Sequence, residues 1–97
     1  MWLLIDDERD LNCDAIARTP EAARVLLKCD CWECVIFDHD LGCAKTGYDI
    51  LMWMFESKVY PRRIQLVTSN PVGRDRMSAV LKENHYSSKD GYNYFKD

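Results

Sequence analysis

The sequence predicts an α/β fold with a mainly parallel sheet covered on both faces by helices, and three observations carry that reading. Short apolar runs recur along the chain as Trp2-Leu3-Leu4-Ile5, Cys34-Val35-Ile36-Phe37 and Ile64-Gln65-Leu66-Val67. Segments of helical period alternate with them, which is the pattern of strands joined by crossover helices. Each run then stops at a polar cluster, Asp6-Asp7, Asp38-His39-Asp40 and Thr68-Ser69-Asn70. In an open parallel sheet those strand ends are neighbours, and ligands bind there.

Taken in order, the first run is a buried central strand that ends in the acidic loop Asp6-Asp7-Glu8. Ala15-Ile16-Ala17 is read as a short second strand at the sheet edge. Beyond the Asp6-Asp7 pair only about seven residues separate the two, fewer than the 10 to 12 that a crossover helix takes, so the pairing of this strand stays open. Thr19-Pro20-Glu21 supplies a capping hydroxyl, a first-turn proline and an acid at the positive end of the helix dipole, so a helix starts here. Ala22, Val25, Leu26 and Cys29 follow at spacings that predict its buried face.

After the second core strand and a turn around Gly42 and Gly47, Tyr48, Leu51, Met52 and Phe55 keep helical spacing, widened by Ile50 and Met54. The third core strand follows Pro61. Asn70-Pro71 repeats the cap-and-proline signal, and Met77, Val80 and Leu81 give the last helix its apolar face. The segment from Tyr86 to Asp97 alternates Tyr92, Tyr94 and Phe95, and is read either as a final edge strand or as a frayed tail.

The 97 residues suffice for one domain, since single cores are built from about 50 to 200 residues. With 47% apolar and 30% charged residues the chain is an ordinary globular one rather than a disordered one. A net charge of −3 and a pI near 5.3 exclude generic polyanion binding, which needs clustered Lys and Arg, so any nucleic-acid contact is local. No run approaches the ~20 apolar residues of a membrane span, and the start lacks the features of a signal peptide, so a cytoplasmic protein is expected. In that reducing compartment the five cysteines are expected as thiols. Cys29, Cys31 and Cys34, with Cys13 and Cys43 elsewhere, do not form the paired C-x-x-C knuckles of a zinc site, and core or loop-edge packing accounts for them better.

The chemistry is expected at the strand ends. Clustered carboxylates repel one another unless a cation or a donor neutralises them, and an all-oxygen set suits Mg²⁺ or Mn²⁺. Thr68, Ser69 and Asn70, with the helix start that follows, are placed to bind phosphate oxygens. His39 has a pKa suited to proton transfer, although a structural role after a strand end fits it equally. Arg9 and Arg18 flank the acidic loop, and Arg74 and Arg76 lie one turn into the last helix; solvated surface charge is the simpler account of all four. His85, near the end of that helix, is explained by the helix dipole.

These residues resemble the two-component receiver domain: Asp6-Asp7 after the first strand, Asp38 with Leu41 three residues on, Gly47, and Thr68 closing a later strand. The resemblance spans nearly the whole chain and implies a receiver-like, flavodoxin-like three-layer sandwich. It implies that Asp6 and Asp7 hold Mg²⁺ with Asp38, that Asp38 is the phosphoacceptor, and that Thr68 senses the phosphoryl group. The chain departs from receivers in having no room for a helix between the first two strands. It has Gly42 where they have a proline, and neither Lys89 nor Lys96 has the context of their lysine after the fifth strand. The strings LLIDDERD, FDHDLG, TGYDIL and QLVTSNPVG are similar to the shortened domains classed as cyclic-phosphate processing receivers, a group that includes phage-encoded proteins.

That resemblance implies metal-dependent processing of cyclic phosphates, such as the 2′,3′-cyclic ends of RNA or cyclic nucleotides, with Asp38, His39 and Asp40 as catalytic residues. Two other functions compete with it. One is a degenerate receiver that binds a host protein through exposed aromatics such as Trp2, Trp32, Tyr60 and Tyr92. The other is a phosphoacceptor without an output domain.

Overall fold

The computed structural model describes residues 1–38 and 46–97. The strands are β1 (Trp2–Ile5), β2 (Ala15–Ala17), β3 (Cys34–Phe37), β4 (Arg63–Leu66), β5 (Tyr86–Ser87) and β6 (Asn93–Lys96). The helices are α1 (Pro20–Cys29), α2 (Gly47–Glu56) and α3 (Pro71–Glu83). The strands form one mixed sheet in the order β2-β1-β3-β4-β6-β5, the receiver-like α/β arrangement expected from the sequence, except that among the described residues the helices pack on one face of the sheet and not on both. From β2 to β4 every pairing is parallel, and Ile5, Phe37 and Leu66 share one row of the register.

β2 pairs with β1 in parallel although no helix lies between them. The nine residues from Asp6 to Asp14 make the return, and they suffice because a three-residue strand requires the chain to travel back only about 7 Å. Asp14 fixes the end of this return, its Oδ2 accepting from Trp2 N at 2.7 Å while its own amide donates to the Trp2 carbonyl at 3.0 Å.

Alternation along the strands divides the interior. Leu3, Ile5, Val35, Phe37, Ile64 and Leu66 meet the buried side chains of all three helices in the larger cluster. The other face carries Leu4, Cys34 and Ile36, with Trp2, Cys13, Ile16 and Val67 packed beside them. Cys13 of the β1–β2 connection thus reaches the face where no helix side chain contributes among the described residues.

One expected feature is corrected in the helices, while the apolar stripe of α2 packs on the core as expected. The buried face of α1 is Pro20, Ala23 and Leu27, with Ala22 and Leu26 half-buried, whereas Val25 is 62% exposed and Cys29 is exposed. Beside that face, Arg24 and Lys28 lay their charges over the Trp53 ring of α2, at 5.9 and 5.6 Å. In α2 the inward residues are Ile50, Leu51, Met54 and Phe55, while Tyr48 and Met52 are only half-buried.

The C-terminal segment is not frayed: it forms two strands, of which β5 is the sheet edge as expected and β6, which carries Tyr94 and Phe95, is not. β6 lies between β4 and β5, antiparallel to both, so it is an interior strand. Asp90 builds the turn that returns it: Oδ1 accepts from the amides of Tyr92 and Asn93, and Oδ2 from Asn93 Nδ2. Gly91 takes a φ of +80°, which glycine adopts at little cost. These bonds, the Asn93 amide first, hold the Asp90 carboxyl well below the usual carboxylate range. Tyr94 is fully buried, with its hydroxyl 2.5 Å from Ser78 Oγ on α3.

Candidate active site

β1, β3 and β4 end side by side, and the row beyond Ile5, Phe37 and Leu66 brings Asp6, Asp38 and Val67 together, with Thr68 one step further. Backbone bonds continue past the strands, Asp38 N donating to the Ile5 carbonyl and Val67 N to the Phe37 carbonyl, each at 3.0 Å. The positions of these side chains are therefore set by the sheet.

Asp6 is a buried acid, only 2% exposed. Its Oδ1 accepts from the amides of Glu8 and Arg9, both at 3.0 Å, which folds the acidic loop back over the strand end. Its Oδ2 is buried and has no hydrogen-bond partner among the described residues. A carboxylate oxygen in that state carries a large desolvation cost, which a cation would relieve. Asp7 and Asp38 are half-buried beside it, and one oxygen from each of the three acids lies within 4.8 Å of the others. The donor set is entirely carboxylate oxygen, which fits a hard divalent cation such as Mg²⁺ or Mn²⁺. No cysteine joins such a group among the described residues: Cys29 and Cys31 are exposed, Cys13 is half-buried and Cys34 is buried.

Thr68 is nearly buried, and its Oγ1 accepts from the Asn70 amide at 3.1 Å, so the hydroxyl proton remains to donate elsewhere. Asn70 acts mainly as the cap of α3, with Oδ1 accepting from Gly73 N at 3.1 Å and its carbonyl from Arg74 N at 2.9 Å. Two of the amides that an anion would otherwise meet at this helix start are thus already engaged. Ser69 is exposed between the two. His39 and Asp40, the proton-transfer residues expected from the sequence, lie outside the described residues, as do Gly42 and Cys43.

The arginines are not the loose surface charges that the sequence suggested. Arg9 Nη1 donates to the Val67 carbonyl at 2.7 Å and stands 3.8 Å from Asp6 Oδ2. Arg18 Nη1 donates to the Arg9 carbonyl at 2.8 Å and reaches that of Asp6 at 3.4 Å, while Nη2 pairs with Asp10. Together they brace the acidic loop. Their position beside an acid pair was the available signal for the contacts with Asp6 and Asp10, but the other partners are backbone carbonyls, which no charge pattern reveals. Arg74 is held by the Tyr92 hydroxyl at 2.7 Å and lies over its ring, and Arg76 lies over Tyr48, 4.4 Å from the ring centre. His85 falls just past α3 with a φ of 67°.

Of the aromatics that a protein-binding role would use, Tyr60 and Tyr92 are exposed and Trp2 is half-buried. Trp32 is buried, its Nε1 donating to the Leu26 carbonyl at 2.7 Å, so it offers no docking surface. No helix of the described residues is long and apolar enough to cross a membrane.

The chain has no significant match among curated proteins or solved structures. Residues 1–83 match the family model described as the cyclic-phosphate processing receiver domain, a span that ends before the β5–β6 hairpin and includes every strand-end acid and the Thr68 cluster. With the acid pair, the third acid and the closing threonine each at its own strand end, the chain belongs to the cyclic-phosphate processing receiver domain family.

Proposed function

We propose that the strand-end site opens cyclic phosphate esters, the 2′,3′-cyclic ends of RNA or cyclic nucleotides, with the help of a divalent cation. The observation that carries this reading is the convergence of Asp6, Asp7 and Asp38 with a buried Asp6 oxygen left without a hydrogen-bond partner among the described residues. Those three carboxylates would hold Mg²⁺ or Mn²⁺, which neutralises charge on the phosphoryl oxygens and polarises the ester.

In the reaction a water oxygen bonds to phosphorus, one ring P–O bond breaks, and the freed ribose oxygen takes up a proton. Asp38, at the end of the central β3 strand, orients the attacking water; if its carboxylate attacks first, the ring P–O bond breaks as the Asp38 O–P bond forms, and water then hydrolyses that acyl phosphate to free Asp38 and the phosphomonoester. The Thr68 hydroxyl, with its oxygen already occupied by the Asn70 amide, donates to a phosphoryl oxygen. A five-membered cyclic ester carries ring strain that a linear diester lacks, so the site favours the cyclic substrate.

The test is turnover of an RNA oligonucleotide ending in a 2′,3′-cyclic phosphate, in the presence of Mn²⁺. Wild-type protein converts the end to a phosphomonoester and leaves linear linkages intact, and Asp38→Ala slows the conversion at least about 10²-fold. Cyclic ends and free cyclic nucleotides that survive wild-type protein between pH 6 and 9 would exclude the enzyme reading and favour a binding role.

A further inference from the structure

We propose that Arg9 is the phosphate-binding cation of this site, and that it opposes the divalent cation while recruiting the anion. The inference rests on the reading that the site takes a phosphate ester beside a metal ion. Its first support is placement. Arg9 Nη1 lies between the ends of β1 and β4, bonded to the Val67 carbonyl at 2.7 Å and 3.8 Å from the orphaned Asp6 Oδ2. The side chain is 42% exposed, so the guanidinium is tethered at one edge while the side chain still meets solvent beside the acids. A guanidinium carries five N–H donors in a planar fork matched to phosphate oxygens, and the Val67 carbonyl accepts from one of its two terminal nitrogens.

The second support is rigidity. The Arg9 amide is fixed by Asp6 Oδ1 and its carbonyl by Arg18, which is in turn paired with Asp10. A cation held in this way loses little freedom on meeting an anion, and that loss is a main cost of binding.

The third is elimination among the described cations. Lys96 donates to the Asn84 carbonyl and lies over Tyr60 and Tyr86, at the opposite end of the sheet from the acids. Lys89 is in the turn between β5 and β6. Arg63 stacks between Trp2 and Phe95 at the start of β4, and Arg74 and Arg76 are held by Tyr92 and Tyr48. Arg18 reaches the Asp6 carbonyl but pairs its charge with Asp10, so among these described side chains Arg9 is the cation within ion-pair distance of an acid of the cluster.

Such a placement has effects of opposite sign. A divalent cation on Asp6 Oδ2 would stand within a few ångströms of a fixed positive charge, which weakens its binding. A phosphate oxygen arriving between the two is attracted by both. Metal and phosphate therefore bind together better than the metal binds alone.

The experiment titrates Mn²⁺ into wild-type, Arg9→Gln and Arg9→Lys proteins by calorimetry, then titrates inorganic phosphate with and without Mn²⁺, with melting curves confirming that each variant is folded. Arg9→Gln is expected to bind Mn²⁺ about 3- to 10-fold more tightly and phosphate about 10-fold or more weakly. Arg9→Lys keeps the charge but loses the fork, so Mn²⁺ affinity stays near wild type while phosphate affinity falls. Parallel losses of both ligands in Arg9→Gln, as expected if the arginine only braces the loop, overturn the proposal, as does phosphate that binds wild type no more tightly than Arg9→Gln. If wild type takes up no Mn²⁺, the metal reading fails by itself, and the phosphate titration without metal still decides the role of Arg9.

Discussion

Cys34 packs on the sheet face opposite the helices, next to Leu4 and Ile36, and burial pushes its thiol up to about 11 despite the neighbouring Arg63 charge. An unfolded thiol ionises near pH 9, so above that pH the unfolded chain loses a proton that the folded protein retains. The stability contributed is complete below pH 9 and is lost as pH rises towards 11. Burial raises the Tyr86 hydroxyl as well, in the same direction at higher pH. Between pH 8.5 and 10.5, wild-type protein should lose about 1 to 2 kcal/mol more unfolding free energy than Cys34→Ala. Urea unfolding at the two pH values measures this, and parallel losses in both proteins contradict it. The placement of single residues was legible in the sequence where it follows from a strand end, as for Asp6, Asp7, Asp38 and Thr68. Arg9 and Trp32 were misread because what fixes each side chain is a backbone carbonyl, for Arg9 that of Val67 and for Trp32 that of Leu26.

Capping signals located the elements well. Thr19-Pro20 and Asn70-Pro71 start α1 and α3 as expected, Thr19 Oγ1 accepting from the Ala22 amide and Asn70 Oδ1 from that of Gly73. α2 has an added device, Asp49 Oδ2 accepting from the Thr46 amide at 2.7 Å. Replacing Asn70 with Ala should cost about 1 kcal/mol of stability, whereas Asn70→Asp keeps the cap and most of the stability. Chemical denaturation of the two variants checks this, and equal losses would show that Asn70 does not stabilise α3 by capping. What capping and period do not convey is the partner. The α1 face was misplaced because Ala23 and Leu27 turn inward with Pro20, and Arg24 and Lys28 beside them meet Trp53, a residue of another helix. β6 was read as an edge or a tail because its place depends on the Asp90 turn and on burial of Tyr94 against α3.

Across the whole molecule the parallel order of β2, β1, β3 and β4 puts the acidic loop, Asp38 and the Thr68 cluster on one rim, and this arrangement was readable from the alternation of strands and helices. The short β1–β2 return replaces a crossover helix and lets Arg9 and Arg18 brace that rim. The account stands on the acids being a cation site, and Mn²⁺ binding measured calorimetrically on wild-type, Asp6→Asn and Asp38→Asn proteins tests it most directly. It predicts one Mn²⁺ per wild-type chain, with native-state binding adding about 2.7 kcal/mol of stability at a hundred times Kd, and binding lost or greatly weakened in both variants. Wild-type protein that takes up no Mn²⁺, or variants that bind it as tightly as wild type, would contradict the account.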